Sequence, residues 1–464
     1  MDKLFNPRSV AVFGASNREQ HPGYMMIYAL KQCGFKGAVY PINPGKGEIL
    51  GFKTYESLDA IAGDPIDLAI VVVAPSAVLS VMEQIARRKI PFTVLVTAGF
   101  RELGTTEGLE LESRITETAQ KAGIRFVGPN CMGVYSSDSG MSFFADPEPA
   151  DGNLAFVSQS GSQTFIFHQL ARTRGISFKK MVSSGNEADL ECTDFLDYFS
   201  KDPGVSVITA YIEGIRSGQR FAEVGRQVSR RKPVIVLKVG STAAGGRAAS
   251  SHTGAMSGTD AIWDSVLRQT GMIRAESISE LLDIALGFSL IPEPIGRRVA
   301  VMGAPGGSSV LSADACERYG LEVASLEPET MSRLREILPP VGTSIRNPID
   351  MGFGAVADNI FEEVLRVVNT DRNADVVLAL GGAPAFAGKS YIRIEEFAKE
   401  LTAAKSFLTK PLFTVVPQLP QTQRAIHMLA GAGIPAFSEP DHAAKAIARM
   451  AWYYEWRLSR TPRS

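Results

Sequence analysis

Residues 9–16 read SVAVFGAS, an apolar run that closes on Gly14-Ala15-Ser16. Pro22, Gly23 and an amphipathic stretch over Tyr24–Cys33 follow. A short apolar strand that stops at a glycine and gives way to a helix is half of a βαβ unit. Small residues in such a turn let backbone N–H groups approach an anion at the helix N-terminus. The spacing is not GxGxxG, and taken alone the turn reads equally well as an ordinary tight βα connection. What decides the fold is recurrence. Further apolar runs occur at Ala38–Ile42, Leu68–Val73, Phe92–Thr97 and Arg125–Gly128. Others follow at Leu154–Ser158, Val205–Ile212 and Val234–Val239, then at Arg298–Gly303, Val376–Leu380 and Leu412–Val416. Nearly continuous apolar strands separated by helix-length stretches predict parallel sheets covered on both faces. The expected fold class is therefore α/β, built of doubly wound units. Two Pro- and Gly-containing seams, Asp146–Gly152 and Pro292–Arg298, each precede a fresh strand. They read as linkers and place the units at 1–148, 149–292 and 293–464.

Composition narrows the class of function. The 464 residues carry 48 Lys and Arg against 49 Asp and Glu, a net charge of −1. A nucleic-acid binder driven by a broad basic face is not expected. The four cysteines, Cys33, Cys131, Cys192 and Cys316, form no CxxC pair. Neither a disulfide framework nor a structural metal site is expected. The segment MDKLFNPRSVAVFG has no signal-peptide core, and the longest apolar stretch, Leu68–Pro75, is of strand length. The expectation is a cytoplasmic protein with no membrane and no nucleic-acid partner.

Candidate ligand positions fall at the carboxyl ends of the expected strands, where open α/β sheets bind. In the first unit they are Gly14–Ser16, Asn43 to Lys46, Pro75 and the turn GPNCMG at Gly128–Gly133. Where a dinucleotide site usually places an acid for the ribose, this chain has Lys46, a cation suited to a phosphorylated ribose. In the middle unit, VSQSGS (Val157–Ser162) and SSGNEADL (Ser183–Leu190) each read as a strand end opening a helix. Both could present N–H groups to a phosphoryl oxygen, or simply cap a helix.

Of five histidines, His252 stands apart, within KVGSTAAGGRAASSHTGA (Lys238–Ala255). Small residues give that loop little to anchor it, so mobility is expected. A single nucleophilic imidazole on such a loop suits a covalent phosphoryl carrier, with Arg247 among the groups able to stabilise the anion. Glu213, in YIEG at a strand end, could hold the second imidazole nitrogen and fix its tautomer. His168, His427 and His442 lie in helical patterns and have no assigned role.

Taken together, GAS, YPINP, GPNCMG, VSQSGS, SSGNEADL, YIEG, the His252 loop and NPIDM (Asn347–Met351) resemble the NDP-forming acyl-CoA synthetases, relatives of the succinyl-CoA synthetase α subunit. The resemblance covers essentially the whole chain. It implies a Rossmann-like CoA-binding domain followed by two flavodoxin-like domains. It also implies a three-step reaction: acyl-CoA and phosphate give an acyl phosphate, the phosphoryl group passes to His252, and then to ADP. Run backwards, this is an acid–CoA ligase.

The resemblance makes His252 and Glu213 catalytic. It assigns CoA to Gly14, Ala15, Ser16, Asn43, Lys46, Pro75 and Asn130, and the phosphoryl group to Ser160, Gly161, Ser162, Gly185 and Asn186. The family's ATP-grasp domain is not legible here. The third unit has the turn Gly303-Ala304-Pro305-Gly306-Gly307-Ser308, without the GKS or GKT ending of a P-loop. The resemblance therefore implies a partner ATP-grasp β subunit holding ATP or ADP with Mg, in an α2β2 assembly acting on a carboxylic acid and its acyl-CoA. Two other readings compete: a non-catalytic CoA sensor on the same scaffold, and an NADP-dependent oxidoreductase that would leave His252 unexplained.

Overall fold

The computed structural model describes residues 1–45, 47–63, 65–147, 151–242, 244–245, 260–303, 306–352, 360–381 and 390–460. They form two compact units, one of Met1–Gln169 with Ser177–Glu276, the other of Leu170–Ile176 with Ser277–Ser464.

Among the described residues, the first unit holds two large sheets and a two-stranded hairpin. Strands β1 (Ser9–Phe13) and β2 (Ala38–Ile42) are followed by a small antiparallel hairpin, β3 (Glu48–Ile49) and β4 (Phe52–Lys53). Strands β5 (Leu68–Val71), β6 (Phe92–Leu95) and β7 (Arg125–Val127) complete a parallel sheet of order β2-β1-β5-β6-β7. Its core packs Ala11, Phe13, Ala69, Val71 and Phe126 against Val78, Met82 and Ile85 of the helix Pro75–Arg87 and Ile115 of the helix Thr106–Ala122. Thr105 caps the second of these helices, accepting from Gly108 N at 3.1 Å, and Gly123 ends it at φ +69°. Residues that favour these two positions thus fix both boundaries.

The second sheet comprises β8 (Gly133–Ser136), β9 (Leu154–Ser158), β10 (Phe178–Ser183), β11 (Val207–Ile212), β12 (Val234–Lys238) and β13 (Ile273–Ala275). Its order is β13-β12-β11-β9-β10-β8, parallel except for β8, which runs antiparallel to β10. The sequence pattern does not register β8 or the start of β10. Lys179 and Lys180 interrupt the apolar run there, yet both are buried in the strand. Carboxylates neutralise them: Lys179 Nζ meets Asp138 at 2.5 Å and Asp151 at 3.0 Å, and Lys180 Nζ meets Asp138 at 3.2 Å and also Asp202. Buried charge is tolerated only when paired in this way.

In the second unit, β14 (Arg298–Gly303), β15 (Glu322–Val323), β16 (Ile349–Asp350), β17 (Val376–Leu380), β18 (Leu412–Val415) and β19 (Ala436–Phe437) form a parallel sheet of order β15-β14-β17-β18-β19, with β16 beside β14. Ala300, Met302, Val377 and Ala379 pack there with Val364, Val368 and Leu401.

All three sheets share one winding. The leading parallel strand (β1, β9 or β14) lies between the next parallel strand and a later one, so the winding direction reverses beside it. That reversal opens a crevice at the carboxyl ends, where doubly wound sheets take their ligands. Among the described residues no helix is long and apolar enough to cross a membrane.

Candidate functional site

The carboxyl ends of the first sheet are backbone turns held at close quarters. Gly14 has φ +79°, and a Cβ there would lie 2.2 Å from Val72 O. A Cβ on Gly23 would lie 2.0 Å from Gly14 O. Only glycine permits this contact between the turn and the start of the helix Pro22–Gln32. Asn43 ties the end of β2 to the same turn, donating from Nδ2 to Ala15 O at 2.6 Å and accepting from Gly45 N at 2.7 Å. Ser16 Oγ accepts from Arg18 N at 3.1 Å. Pro75 opens its helix and packs on Gly99, where a Cβ would meet Pro75 Cγ at 2.8 Å. The sequence-assigned residues Gly14, Ala15, Ser16, Asn43 and Pro75 therefore belong to one group of adjoining turns. Thr97 extends it, donating from Oγ1 to Val73 O at 2.8 Å.

Asn130 joins this group to the second sheet. It sits at φ +57°, a left-handed conformation that asparagine tolerates better than most residues. Its N–H donates to Thr97 O at 2.9 Å. The segment before it is zipped to the segment after β10. Asn186 N donates to Pro129 O at 2.9 Å, Ala188 N to Gly128 O at 2.9 Å, and Leu190 N to Phe126 O at 3.1 Å. A Cβ on Gly185 would lie 2.3 Å from the carbonyl oxygens of both Pro129 and Asn130. This pairing corrects one expectation. SSGNEADL does not open a helix directly; the helix Cys192–Lys201 starts later, because Asn186–Leu190 first pair with the neighbouring turn.

Ser160, Gly161 and Ser162 do open a helix, Gly161–Thr173. Ser158 Oγ accepts from Ser160 N at 3.1 Å, and the Ser160 and Ser162 hydroxyls lie 3.2 Å apart. Ser184 N donates to Ser158 O at 2.8 Å, which sets the two expected phosphoryl turns side by side. Asn186 also makes contacts that its sequence string does not signal. Its Nδ2 donates to Glu102 at 2.6 Å and Glu112 at 2.9 Å, and its carbonyl accepts from Arg101. The side chain thus bonds carboxylates of the first sheet's loops and helix, and its Oδ1 accepts from Asn130 Nδ2 at 3.4 Å. Burial pushes the Glu102 carboxyl up. Bonds from Asn186, Gly99 N and Phe100 N together outweigh that and hold it below the usual range.

Glu213 follows β11 directly and is 6% exposed. Its peptide is gripped from both neighbouring strands. Gln159 Oε1 accepts from Glu213 N at 2.6 Å and from Gly214 N at 3.0 Å. Lys238, the last residue of β12, donates from Nζ to Glu213 O at 2.9 Å. Burial lowers the Lys238 ammonium to about 8, while Glu213 opposes the fall. Gln159 Nε2 donates to Glu187 Oε2 at 2.9 Å. Burial pushes the Glu187 carboxyl up to about 7, against bonds from Ser184 and Gln159. Gln159, Glu187 and Lys238 all stand inside strings read from the sequence, yet the sequence singles out none of them. Their partners come from the ends of other strands, so no local spacing marks them. Lys46, Arg247 and His252 lie outside the described residues.

The described geometry defines a class: an α/β protein with tightly packed backbone turns at the carboxyl end of one sheet and a buried acid–amide–lysine network on the next. Family models agree on the parts. Residues 8–137 match a CoA binding domain, 151–288 a succinyl-CoA ligase like flavodoxin domain, and 299–461 a ligase-CoA domain. The α subunit of acetate–CoA ligase [ADP-forming] II from Pyrococcus furiosus is 36% identical over 448 residues, covering 96% of this chain and 96% of that one. Acetate–CoA ligase [ADP-forming] I of Archaeoglobus fulgidus is 36% identical over 454 residues; the match takes in 98% of this chain but only 64% of the relative's length. A solved structure described as dinucleotide-forming acetyl-coenzyme A synthetase 1 of Ca. Korarchaeum cryptofilum, in complex with phosphate and ADP, superposes with TM-score 0.89 at 32% identity, over 100% of this chain and 99% of that one. The chain belongs to the family of ADP-forming acyl-CoA ligases.

Proposed function

We propose that this chain is the CoA- and acyl-handling α subunit of an ADP-forming acid–CoA ligase. The observation that carries the reading is the fixed Glu213 peptide at the switch point of the second sheet. Glu213 stands beside β12, whose chain continues into the sequence that holds His252. In this reading the first-sheet turns, with Gly14–Ser16, Asn43, Lys46, Pro75 and Asn130, hold CoA. Close backbone approach at Gly14 and Gly23 suits a pyrophosphate-bearing ligand.

Ser160–Ser162 and Gly185 hold the phosphoryl group through turn N–H groups and hydroxyls. Phosphate oxygen attacks the thioester carbonyl, the C–S bond breaks, and CoA leaves as the thiolate. The His252 ring nitrogen then attacks phosphorus, and the carboxylate departs as the free acid. Glu213 accepts from the other ring N–H, which fixes the tautomer and stabilises the imidazolium formed. Phosphohistidine passes its phosphoryl group to ADP on a partner ATP-grasp subunit, which supplies the Mg site, in an α2β2 assembly.

The test is phosphoryl labelling. The chain is incubated with radiolabelled phosphate and a panel of acyl-CoAs, with a candidate ATP-grasp partner, beside His252→Asn. The expected result is acid-labile, base-stable label on the wild-type chain alone, with CoA binding kept by the variant. Equal label on both would overturn the phosphohistidine route.

A further inference from the structure

The Gln159 side chain completes a sheet where the backbone stops. The ladder between β9 and β11 ends at the pair Ser158 and Tyr211, with Gln159 N donating to Tyr211 O at 3.2 Å. One step on, the Gln159 amide takes over. Oε1 accepts from Glu213 N and Gly214 N, and Nε2 donates to Gly214 O at 2.8 Å and to Glu187 Oε2 at 2.9 Å. A primary amide has two faces, and only this orientation puts an acceptor against the two N–H groups.

Glu187 supports that orientation from the other side, its Oε2 accepting from Gln159 Nε2 while its Oε1 is taken up elsewhere. It is itself firmly placed. Ser184 Oγ donates to its Oε1 at 2.7 Å and Cys192 N at 3.0 Å, and the residue is 3% exposed. Its backbone lies at φ +54°, a left-handed conformation unfavourable for a residue with a Cβ. Strain of that kind persists where surrounding contacts over-determine it. Glu191 and Arg216 are the other charged groups acting on it, and they oppose one another.

We propose that Glu187 is a positioning residue for Glu213: by accepting from Gln159 Nε2 it turns the Gln159 amide so that Oε1 holds the Glu213–Gly214 turn, and so aims the Glu213 carboxylate. The inference rests on the reading of Glu213 as the partner of His252. Glu187 touches no reacting atom in this account.

The test uses a reciprocal exchange in the complete chain with its partner subunit. In Glu187→Gln, the new amide oxygen stays with Ser184 and Cys192, so its NH2 faces Gln159 Nε2. The Gln159 amide must turn over, and its NH2 then opposes the Glu213 N–H. In Glu187→Gln with Gln159→Glu, the carboxylate introduced at position 159 accepts from the amide introduced at position 187 and from both N–H groups. Only the bond to Gly214 O is lost. Phosphoenzyme formation is expected to slow roughly 10- to 100-fold in Glu187→Gln, with the KM for acyl-CoA unchanged. Amide exchange in a peptide spanning residues 212–215 is expected to speed by about tenfold or more. The reciprocal pair recovers most of both. Gln159→Met, which leaves Glu187 intact, is expected to reproduce the single-variant losses.

Wild-type rate and exchange in Glu187→Gln would overturn the proposal. So would losses that the reciprocal exchange does not restore, or a change in KM alone. If the wild-type chain forms no phosphoenzyme, that result counts against the functional reading. The exchange measurement still decides the relay.

Discussion

The first and second sheets wind in the same order, and their carboxyl ends are built from different materials. At the first sheet the turns are mostly small residues and proline, and their tightest contacts, at Gly14, at Gly23 and against Gly185, are backbone on backbone. At the second, the turns are backed by Gln159, Glu187, Glu213 and Lys238, each at most 7% exposed. In the proposed function, one topology thus carries a binding surface and a chemical centre, as expected where fold and function are separable. A backbone surface discriminates by shape and tolerates side-chain change except at its glycines. A buried polar network depends on every partner, because an unsatisfied member costs about 1–3 kcal/mol.

The sharpest way to break this contrast is Glu213→Gln. Phosphoenzyme formation should slow by about 10²–10⁴-fold, and the Kd for CoA should stay within about twofold. Rapid-quench labelling and calorimetry check the two halves. Next in size is Gly23→Ala at the first sheet. Its methyl group would overlap Gly14 O, so the turn must move. CoA affinity should fall by about 100-fold, and stability by about 2–3 kcal/mol. Denaturant unfolding and CoA titration measure these. Gly34→Ala is the control: its φ is +65° but a Cβ there would meet open space, so it should cost only about 1 kcal/mol and leave CoA binding alone.

Glu187 gives a pH test confined to the second sheet. Its carboxyl is raised from 4.5 to about 7 in the folded chain. The folded state therefore binds this proton more tightly than the unfolded state does. Burial of Glu187 costs stability in full above about pH 7. The cost shrinks as pH falls towards 4.5 and is gone below it. Glu187→Gln never ionises. Relative to the wild type, the variant should gain about 3 kcal/mol in unfolding free energy between pH 4 and pH 8. A flat difference across that range would place Glu187 outside the buried network.

The smallest effect tests ligand recognition. Lys46→Ala should weaken CoA by about tenfold and leave dephospho-CoA unchanged, as measured by calorimetry. Equal losses would remove Lys46 from the 3′-phosphate.

What is legible in the sequence follows the same contrast. Apolar runs such as Ser9–Phe13 and Leu154–Ser158 name their own strands, because strands buried on both faces need side chains that water rejects. The start of β10 hides behind Lys179 and Lys180. Their burial depends on Asp138, Asp151 and Asp202, which are remote in sequence. The first-sheet turns are legible through glycine, whose conformational freedom is a property of the residue itself. Glu213 is legible as an acid at a strand end. The roles of Gln159 and Glu187 are not, because an amide acquires an orientation only when three strand ends meet around it. Asn186 shows the converse. Its place in SSGNEADL points to phosphate, and nothing in that string signals its side-chain bonds to Glu102, Glu112 and Asn130.

The central claim is that binding and phosphoryl transfer reside on different sheets of one unit. The most direct measurement is CoA affinity and phosphoenzyme yield in the same preparations of wild type, His252→Asn and Glu213→Gln, with the partner subunit present. The account predicts wild-type CoA affinity in both variants, no label on His252→Asn, and slow labelling of Glu213→Gln. Labelling of His252→Asn, or loss of CoA binding in step with labelling, would contradict it.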